Sequence, residues 1–437
     1  MMKLISYFLF MLFFGIFQSN AQKDTIAIRN VHIIPIDKDT ILKNYDVLIA
    51  HQKIIAINPT STKSLKQTYT TINGTNKYLL PGFSEMHFHN QNDIKNEFKL
   101  LIANGITTAR NMAEDQNQDQ IENKKLANEL TIAPKYFTAG PYLMRNNLKT
   151  IEEVIKVVQK HKNRGYDYLK LADNLPKKIY LKLLEETSKH NISVIGHGQR
   201  KLPLEYSLRM KSIAHIEEFM NIFTAEEKKD TAFLIKSAKQ IKSSGIYVSP
   251  TLGIFDMIMK YADDKKHEKL TAAPILKYLP KHYANFWKSD SVNYRKHSWF
   301  TAKKSLIRLQ NELNWQKSFT KILHQEKVFL LSSSDTYGLF LPGFSLHKEL
   351  ELINASGVST YETLKTTTIH PARYLNTISQ EGTVSVGKSA NLVLLNKNPL
   401  DDIRNTQSIF GVFVKGKWLN TKAIEQLLKE VENSNAK

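Results

Sequence analysis

The sequence predicts an α/β protein made of a (β/α)8 barrel and a small β-sandwich domain built from both chain ends. Three observations lead to this fold class. The middle of the chain alternates strand-like and helix-like segments, both ends carry short alternating strands, and polar side chains recur where the central strands end. A chain of 437 residues is long enough for a large domain and a smaller one.

The first 21 residues are predicted to be a secretory signal peptide. Lys3 precedes an apolar run from Leu4 to Phe17, and the small residues Ser19 and Ala21 follow where a signal peptidase reads. The run is short for a membrane span. We therefore expect export to the periplasm or the medium, without stable membrane insertion after cleavage. The chain has no cysteine, which excludes a disulfide framework and a lipid-attachment thiol.

Short strands separated by turn residues characterise both ends of the predicted mature chain. At the start they are Thr25–Ile34, Asp46–Ala50 and Lys53–Ile57, and at the far end they lie in 381–400, Ile409–Val414 and Lys417–Leu419. Because the middle of the chain differs, the two ends are expected to meet. The prediction is a composite β-sandwich domain of residues 22–80 plus 378–420, followed by a C-terminal helix at 421–437.

Residues 81–377 are predicted to form the barrel. Helical patterns such as Ile151–His161 and Ile179–His190 alternate with strands, which is typical of the TIM barrel. The eight strand candidates are Leu79–His89, Ile106–Asn111, Lys135–Ala139, Tyr166–Leu171, Ile192–His197, Ser212–Ile216, Ile246–Pro250 and Lys327–Ser333.

The net charge of +20 is the main compositional anomaly. Its lysines are spread along helix-like segments instead of forming one basic tract, which argues against a nucleic-acid partner. Loose attraction to an acidic cell envelope remains compatible with the charge, and the sequence leaves room for a homo-oligomer.

Metal-competent side chains follow the predicted strands. In the stretch PGFSEMHFHN, two histidines one residue apart point to the same side of an extended strand. Active sites of such barrels lie at the C-terminal strand ends. Taken singly, each residue has an ordinary alternative as an ion-pair partner, a turn residue or a helix cap. The occurrence of His87, His89, Lys170, His197, His215 and Asp335 at the ends of five predicted strands, in this order, is hard to explain by accident and favours one shared site that includes metal-competent groups.

These motifs resemble the amidohydrolase superfamily, in its imidazolonepropionase-like branch, which includes metal-dependent dipeptidases. The resemblance spans nearly the whole predicted mature chain. The matching segments are Pro81-Gly82-Phe83 with His87-x-His89, Gly105-Ile106-Thr107-Thr108-x-Arg110, Lys170 in LKLA, His197-Gly198, His215, Ser334-Asp335-Thr336, His347 with Glu349-Leu350, and the tail EGTVSVGKSANLVLLNKNPLDDI.

The resemblance implies a carboxylated Lys170 bridging two divalent ions, for which Zn²⁺ suits the imidazole and carboxylate ligands. An ammonium has no lone pair, whereas a lysine carbamate offers two oxygens. The first ion would take His87, His89, the Lys170 carbamate and Asp335, and the second the carbamate, His197 and His215. Metal-activated hydroxide would attack the substrate carbonyl, and Asp335 is the expected catalytic proton shuttle.

The expected activity is hydrolysis of an amide or peptide-like bond in a small substrate, with a dipeptide as the first choice. A cyclic-amide hydrolase or deaminase on the same site is an alternative, and so is a non-catalytic, envelope-binding protein. The aromatic-rich segment 255–325 either packs helices onto the barrel or forms a lid over its mouth. Candidates for holding a substrate carboxylate or carbonyl are Arg110, Tyr142, Arg145, Tyr337 and His347.

Overall fold

The structure is a computed structural model that describes residues 25–61, 69–115, 118–291 and 293–436. The predicted signal peptide at 1–21 lies outside these residues, so it stays a prediction. Within the described ranges, no helix has both the length and the apolar character that crossing a bilayer requires.

The described elements follow one another as the alternation predicts. The strands are β1 (Ile26–Ile33), β2 (Leu42–Ala50), β3 (Lys53–Pro59), β4 (Thr70–Asn73), β5 (Tyr78–Pro81), β6 (Phe83–Phe88), β7 (Ile106–Asn111), β8 (Lys135–Phe137), β9 (Tyr168–Leu171), β10 (Ser193–Gly196), β11 (Ser212–Ala214), β12 (Tyr247–Ser249), β13 (Phe329–Leu330), β14 (Leu392–Leu395), β15 (Ile409–Val414) and β16 (Lys417–Asn420). The α-helices are α1 (Ile94–Ala103), α2 (Gln120–Glu129), α3 (Ile151–Arg164), α4 (Lys177–Lys189), α5 (Leu204–Ser207), α6 (Glu217–Ile222), α7 (Thr231–Ser244), α8 (Leu252–Ala262), α9 (Asp264–Thr271), α10 (Lys281–Lys288), α11 (Ser298–Thr301), α12 (Lys303–Gln325), α13 (Phe344–Ala355), α14 (Thr360–Thr366), α15 (Ile369–Tyr374) and α16 (Thr421–Ala436). Short 3-10 helices occur at Glu227–Lys229, Pro274–Tyr278, Asn293–Lys296 and Ile403–Gln407.

Strands β6 to β13 are parallel and form two sheets, β6-β7-β8 and β9-β10-β11-β12-β13. The mixed α/β class is confirmed, and each of the eight predicted barrel strands contains an observed one. A parallel bridge between Ala139 and Tyr168 connects the sheets on one side. On the other side, the Met86 backbone N–H donates a hydrogen bond to the Ser332 carbonyl, with an N···O distance of 3.1 Å.

The first predicted barrel strand, Leu79–His89, is wrong as a single strand because it divides at Gly82. A Cβ atom at Gly82 would lie 2.2 Å from Thr107 Oγ1, so only glycine lets the backbone approach β7 this closely. The Gly82 N–H donates to the Asn391 carbonyl at 2.8 Å. The chain therefore leaves the end sheet as β5 and enters the barrel region as β6, whose pairing with β7 begins at Phe83.

Strands from the two chain ends join one hydrogen-bonded sheet, in the order β16-β15-β14-β5-β1-β2-β3, with β4 also paired to β1. The two ends meet where β5 and β14 pair antiparallel. A sandwich would need two separate sheets packed face to face, and the described end strands form one sheet instead. Alternation gives this sheet two apolar faces: Leu79 and Leu394 join the sheet's own cluster, while Leu80 and Val393 pack with residues of α1 and α13.

Helix α16 occupies the predicted C-terminal helical region and packs along α1. Lys99 Nζ lies 2.9 Å from Glu430 Oε2, and the Asn96 amide donates to Ser434 Oγ at 3.0 Å. Because α1 connects β6 and β7, this contact attaches the C-terminal helix to the helix that follows the paired histidines.

Local sequence signals position the strand that carries Lys170. Helix α3 begins with a capping box in which Thr150 and Glu153 satisfy each other's backbone N–H groups. It ends at Gly165, whose φ of +93° is a left-handed conformation that glycine adopts at low cost. The chain then enters β9, which pairs in register with β10, so that Lys170 lies beside Ile195.

Candidate metal centre

Three ligand atoms converge at the end of β6. His87 Nε2 and His89 Nε2 are 3.1 Å apart, and they lie 3.3 and 3.4 Å, respectively, from Asp335 Oδ1. The same-face expectation for the two histidines is therefore met in the folded chain. With nitrogen and carboxylate atoms within 4.8 Å of one another, His87, His89 and Asp335 form a group that could hold a metal ion.

Backbone hydrogen bonds hold the two segments of this group together. The Asp335 N–H donates to the His87 carbonyl at 2.9 Å, and the His89 N–H donates to Thr336 Oγ1 at 2.9 Å. Asp335 has a φ of +56°, a left-handed conformation uncommon for a residue other than glycine. Such local strain persists where surrounding contacts enforce it, which is frequent at functional sites.

His197 and His215 extend the cluster from β10 and β11. The His215 ring centroid lies 4.9 Å from those of both His87 and His197. His215 Nδ1 is 2.8 Å from Thr251 Oγ1 and 3.7 Å from Asp335 Oδ2. His215 also has a positive φ, of +69°. The four predicted histidines thus form one continuous group around Asp335.

The buried Glu218 carboxylate supports His197 from behind. His197 Nδ1 lies 3.4 Å from Glu218 Oε1. Arg200 donates to both oxygens of this carboxylate, from Nη2 to Oε1 at 2.5 Å and from Nε to Oε2 at 2.8 Å. A carboxylate behind a histidine fixes the ring orientation and increases its basicity, an arrangement typical of metal-binding histidines.

Lys170 places an amine inside the same cavity. The residue is only 1% exposed, and in the described part of the chain no carboxylate oxygen lies within 4 Å of its Nζ. Burial lowers the pKa of Lys170 to about 8, which increases the fraction of neutral amine near physiological pH. Gly196 makes room for this side chain, since a Cβ there would lie 2.8 Å from Lys170 Cδ.

The donor set fits a divalent cation. Burial, first among several causes, lowers the pKa of His87, His197 and His215 well below its ordinary value. These rings are therefore neutral at physiological pH, the form that binds metals. A cation placed among His87 Nε2, His89 Nε2 and Asp335 Oδ1 would satisfy all three atoms, whereas hydrogen bonding among them can satisfy only some.

All six predicted residues line one cavity of about 490 Å³. Its other ionisable walls are the carboxylates of Asp115 and Glu217 and the phenols of Tyr142, Tyr294 and Tyr337. Asp115 Oδ2 lies 3.3 Å from His89 Nδ1 and accepts a hydrogen bond from the Tyr142 hydroxyl at 3.0 Å. The arrangement combines a cation-binding cluster with a space large enough for a small substrate.

Of the five predicted substrate-holding residues, Tyr142 and Tyr337 line the cavity, and the other three do not. Arg110 is fully buried and donates to the Met86 carbonyl from Nε at 2.8 Å and from Nη2 at 2.6 Å. His347 Nδ1 is paired with Thr406 Oγ1 at 3.0 Å. Arg145 is exposed. Strand position alone did not reveal that Arg110 turns into the interior of the barrel region.

Several acidic residues near the site were missed at the sequence level. Glu85 precedes His87 by two residues, so the same alternation puts it on the same face. It is fully buried and accepts hydrogen bonds from the backbone N–H groups of His87 and Ser334, at 3.0 and 2.9 Å. Burial raises the pKa of Glu85 to about 7. Glu217 and Glu218 directly follow His215-Ile216 in the sequence, and that proximity was the available signal.

Part of the aromatic segment 255–325 forms a cavity wall. Phe255 and Tyr294 from this segment line the cavity together with Ile258. The Trp287 and Tyr337 rings pack with centroids 4.8 Å apart. Most aromatic residues of the segment contact one another, so it both packs on the barrel region and encloses the site. Movement as a lid stays a prediction.

Comparisons with known proteins place this arrangement in context. The sequence profile of the amidohydrolase family matches residues 78–419. Among curated protein sequences, none matches this chain. Among solved structures, a bottromycin amidohydrolase is 18% identical, with a TM-score of 0.74, 95% of this chain covered and 92% of that chain covered. An Xaa-Pro dipeptidase with bound methionine in the active site is 14% identical, with a TM-score of 0.68 and coverages of 91% and 100%. Ochratoxinase from A. niger is 15% identical, with a TM-score of 0.65 and coverages of 91% and 96%. At these identities the structural matches show a shared fold.

Proposed function

Because the chain belongs to the amidohydrolase family, whose members hydrolyse carbon–nitrogen bonds, we propose that it is a metal-dependent hydrolase cleaving an amide or peptide-like bond in a small substrate. A dipeptide is the first substrate class to test. One observation carries the proposal: the four imidazoles, the buried amine of Lys170 and the carboxylate of Asp335, which lie in or follow five different strands, line a single cavity. The names of two structural neighbours, a dipeptidase and an amidohydrolase, support an amide or peptide bond as the one that is cleaved.

In this proposal the six predicted residues would hold two divalent ions, for which Zn²⁺ suits the donors, and Lys170 would take part as its carbamate. Divalent ions bound there would supply Lewis-acid polarisation of the carbonyl and acidification of a water molecule. The neutral amine of Lys170 can attack carbon dioxide, and the resulting carbamate releases one proton. Burial of this amine without an ion-pair partner supports that reaction, because a free ammonium would be poorly solvated there.

Asp335 is the proposed catalytic residue. Its carboxylate faces the cavity, and burial raises its pKa, so it can both accept and release a proton during the reaction. In the proposed reaction, water oxygen bonds to the carbonyl carbon while Asp335 takes the water proton. Asp335 then gives that proton to the departing nitrogen as the carbon–nitrogen bond breaks. Tyr142 and Tyr337 lie where their hydroxyls could orient the substrate.

The fold and location that accompany this function are also proposals. We propose that the two parallel sheets close into one (β/α)8 barrel, which the Ala139–Tyr168 bridge and the Met86–Ser332 hydrogen bond support. Export to the periplasm or the medium rests on the predicted signal peptide alone.

The test is metal analysis of the purified mature protein followed by a screen of dipeptides and N-acyl amino acids. We expect stoichiometric divalent metal and hydrolysis of at least one amide. A His87→Ala variant should lose both, whereas His190→Ala, at a partly exposed helix end, should lose neither. Bound metal without amide cleavage would refute the substrate class. Envelope adhesion that survives His87→Ala, in a protein without metal, would instead support the binding alternative.

A further inference from the structure

The charge of the cavity wall restricts the substrate. Lys170 is the only lysine or arginine among the described residues that line the cavity, whereas three carboxylates line it, those of Asp115, Glu217 and Asp335. The nearby Arg200 is engaged with Glu218. The wall therefore offers a substrate carboxylate no arginine, and no lysine other than the proposed metal-binding one.

Among the described residues, Glu217 is the wall carboxylate that has no basic side chain within ion-pair distance. It begins α6, two residues after His215, and it is partly buried. In the described ranges, no lysine, arginine or histidine nitrogen lies within 4 Å of its carboxylate, and its nearest polar contact is the Asn221 amide at 3.4 Å. Asp115, by contrast, already contacts His89 and Tyr142. A partly desolvated anion of this kind is stabilised by a cation supplied by the ligand.

Apolar side chains line the same cavity as this carboxylate. Ile254, Phe255 and Ile258 present side chains from α8, and Met144 lines the cavity from the segment after β8. Such a surface accepts an aliphatic or aromatic group, while the few polar groups determine its orientation. The cavity thus brings together a carboxylate without a basic partner, apolar side chains and the predicted metal ligands.

We infer that the substrate presents an ammonium group to Glu217 beside an apolar side chain, and that it needs no carboxylate for recognition. The chemical class is a peptide or amide with a free, apolar N-terminal residue, in preference to an N-acyl amino acid. This inference rests on the proposed hydrolytic function and narrows it. Glu217 acts here as a specificity-determining residue that pairs with the substrate amine.

The kinetic test compares three substrates that share one scissile bond: Phe-Leu-NH₂, N-acetyl-Phe-Leu-NH₂ and Phe-Leu with a free carboxylate. We expect acetylation to lower kcat/KM about ten-fold or more, the effect of losing one charge-assisted hydrogen bond. Replacing the free carboxylate of Phe-Leu by the amide should leave kcat/KM unchanged. Glu217→Gln should remove most of the difference between free and acetylated substrates, mainly through KM. The control Glu226→Gln, at an exposed position of the next turn, should preserve it.

A binding measurement separates this inference from the proposed function. Phenethylamine and phenethyl alcohol differ only in the charged group, and calorimetry on the metal-loaded protein should show about ten-fold tighter binding of the amine, lost in Glu217→Gln. A higher kcat/KM for acetylated or carboxylate-bearing substrates, or a kcat/KM ratio that Glu217→Gln does not change, would overturn the inference. The proposed hydrolytic function would be unaffected by that result. Absence of both metal and hydrolysis would overturn the proposed function itself.

Discussion

The Glu218→Gln substitution tests whether His197 belongs to a metal site. Glu218 Oε1 accepts from Arg200 Nη2 at 2.5 Å and lies 3.4 Å from His197 Nδ1, while Oε2 accepts from Arg200 Nε at 2.8 Å. Glutamine has nearly the same shape, but it has one acceptor oxygen and no charge. Its oxygen can accept hydrogen bonds from Arg200 Nη2 and His197. Its amide NH₂ then faces the Nε–H of Arg200, and two donors cannot form a hydrogen bond.

The expected magnitude follows from these contacts. Loss of the carboxylate behind a metal-binding histidine lowers metal affinity about 10- to 100-fold, equivalent to about 1.4–2.8 kcal/mol. The loss of folding stability should be smaller than for a fully buried ion pair, because the Arg200 side chain is 35% exposed and can be rehydrated. The substitution should therefore weaken metal binding more clearly than it weakens the fold.

Competition with a chromophoric chelator would measure the affinity, and urea unfolding of the metal-free protein would report stability. The matched control is Glu122→Gln, because Glu122 is 60% exposed and, among the described residues, its ion pair is with Lys125 at the surface. We expect the control to behave as the unaltered protein in both assays. Unchanged metal affinity in Glu218→Gln, with the fold intact, would refute the assignment of His197 as a ligand supported by Glu218.

Three further predictions address catalysis, packing and pH. Asp335→Asn should lower kcat about 10²–10⁴-fold through loss of proton transfer, and a variant retaining a tenth of the activity, with its near-UV spectrum unchanged, would contradict the shuttle role. Gly82→Ala should lower the free energy of unfolding by about 1–3 kcal/mol in urea titrations, because its Cβ would meet Thr107, and Thr107→Ala should recover part of the loss. Burial lowers the pKa of His347 to about 4. As the pH falls, the unfolded chain is therefore protonated at this histidine before the folded protein is. His347 should therefore contribute stability that is present above pH 6.5 and lost towards pH 4, at most about 3 kcal/mol. The difference in free energy of unfolding between the unaltered protein and His347→Gln should decrease as the pH is lowered from 6.5 to 4. A difference that stays constant over this interval would disprove the linkage.

Local patterns predicted much of the fold and of the candidate site. Period-two alternation put His87 and His89 on one face of a strand, and it applied equally to Glu85, which the sequence reading overlooked. Glycine and capping signals delimited α3, because the hydrogen bonds that end a helix involve neighbouring residues. Strand-end positions identified six of the residues that line the cavity, because parallel strands bring their C-terminal ends to one side.

Contacts between distant segments decided what local patterns could not. The strand predicted across Gly82 divides because Thr107 approaches its backbone, and the end strands join one sheet through the pairing of β5 with β14. Arg110 is directed to the Met86 carbonyl by neighbouring strands and not towards the substrate cavity.

The sequence by itself determined the order of strands and helices, and which residue types stand at the strand ends, because these depend on neighbours along the chain. Only the tertiary structure decided which carboxylates have partners. Arg200 pairs with Glu218 across 18 residues, whereas no basic side chain of the described residues lies within 4 Å of the Glu217 carboxylate. That choice between adjacent glutamates depends on helix orientation and on the positions of distant side chains, which no local pattern contains.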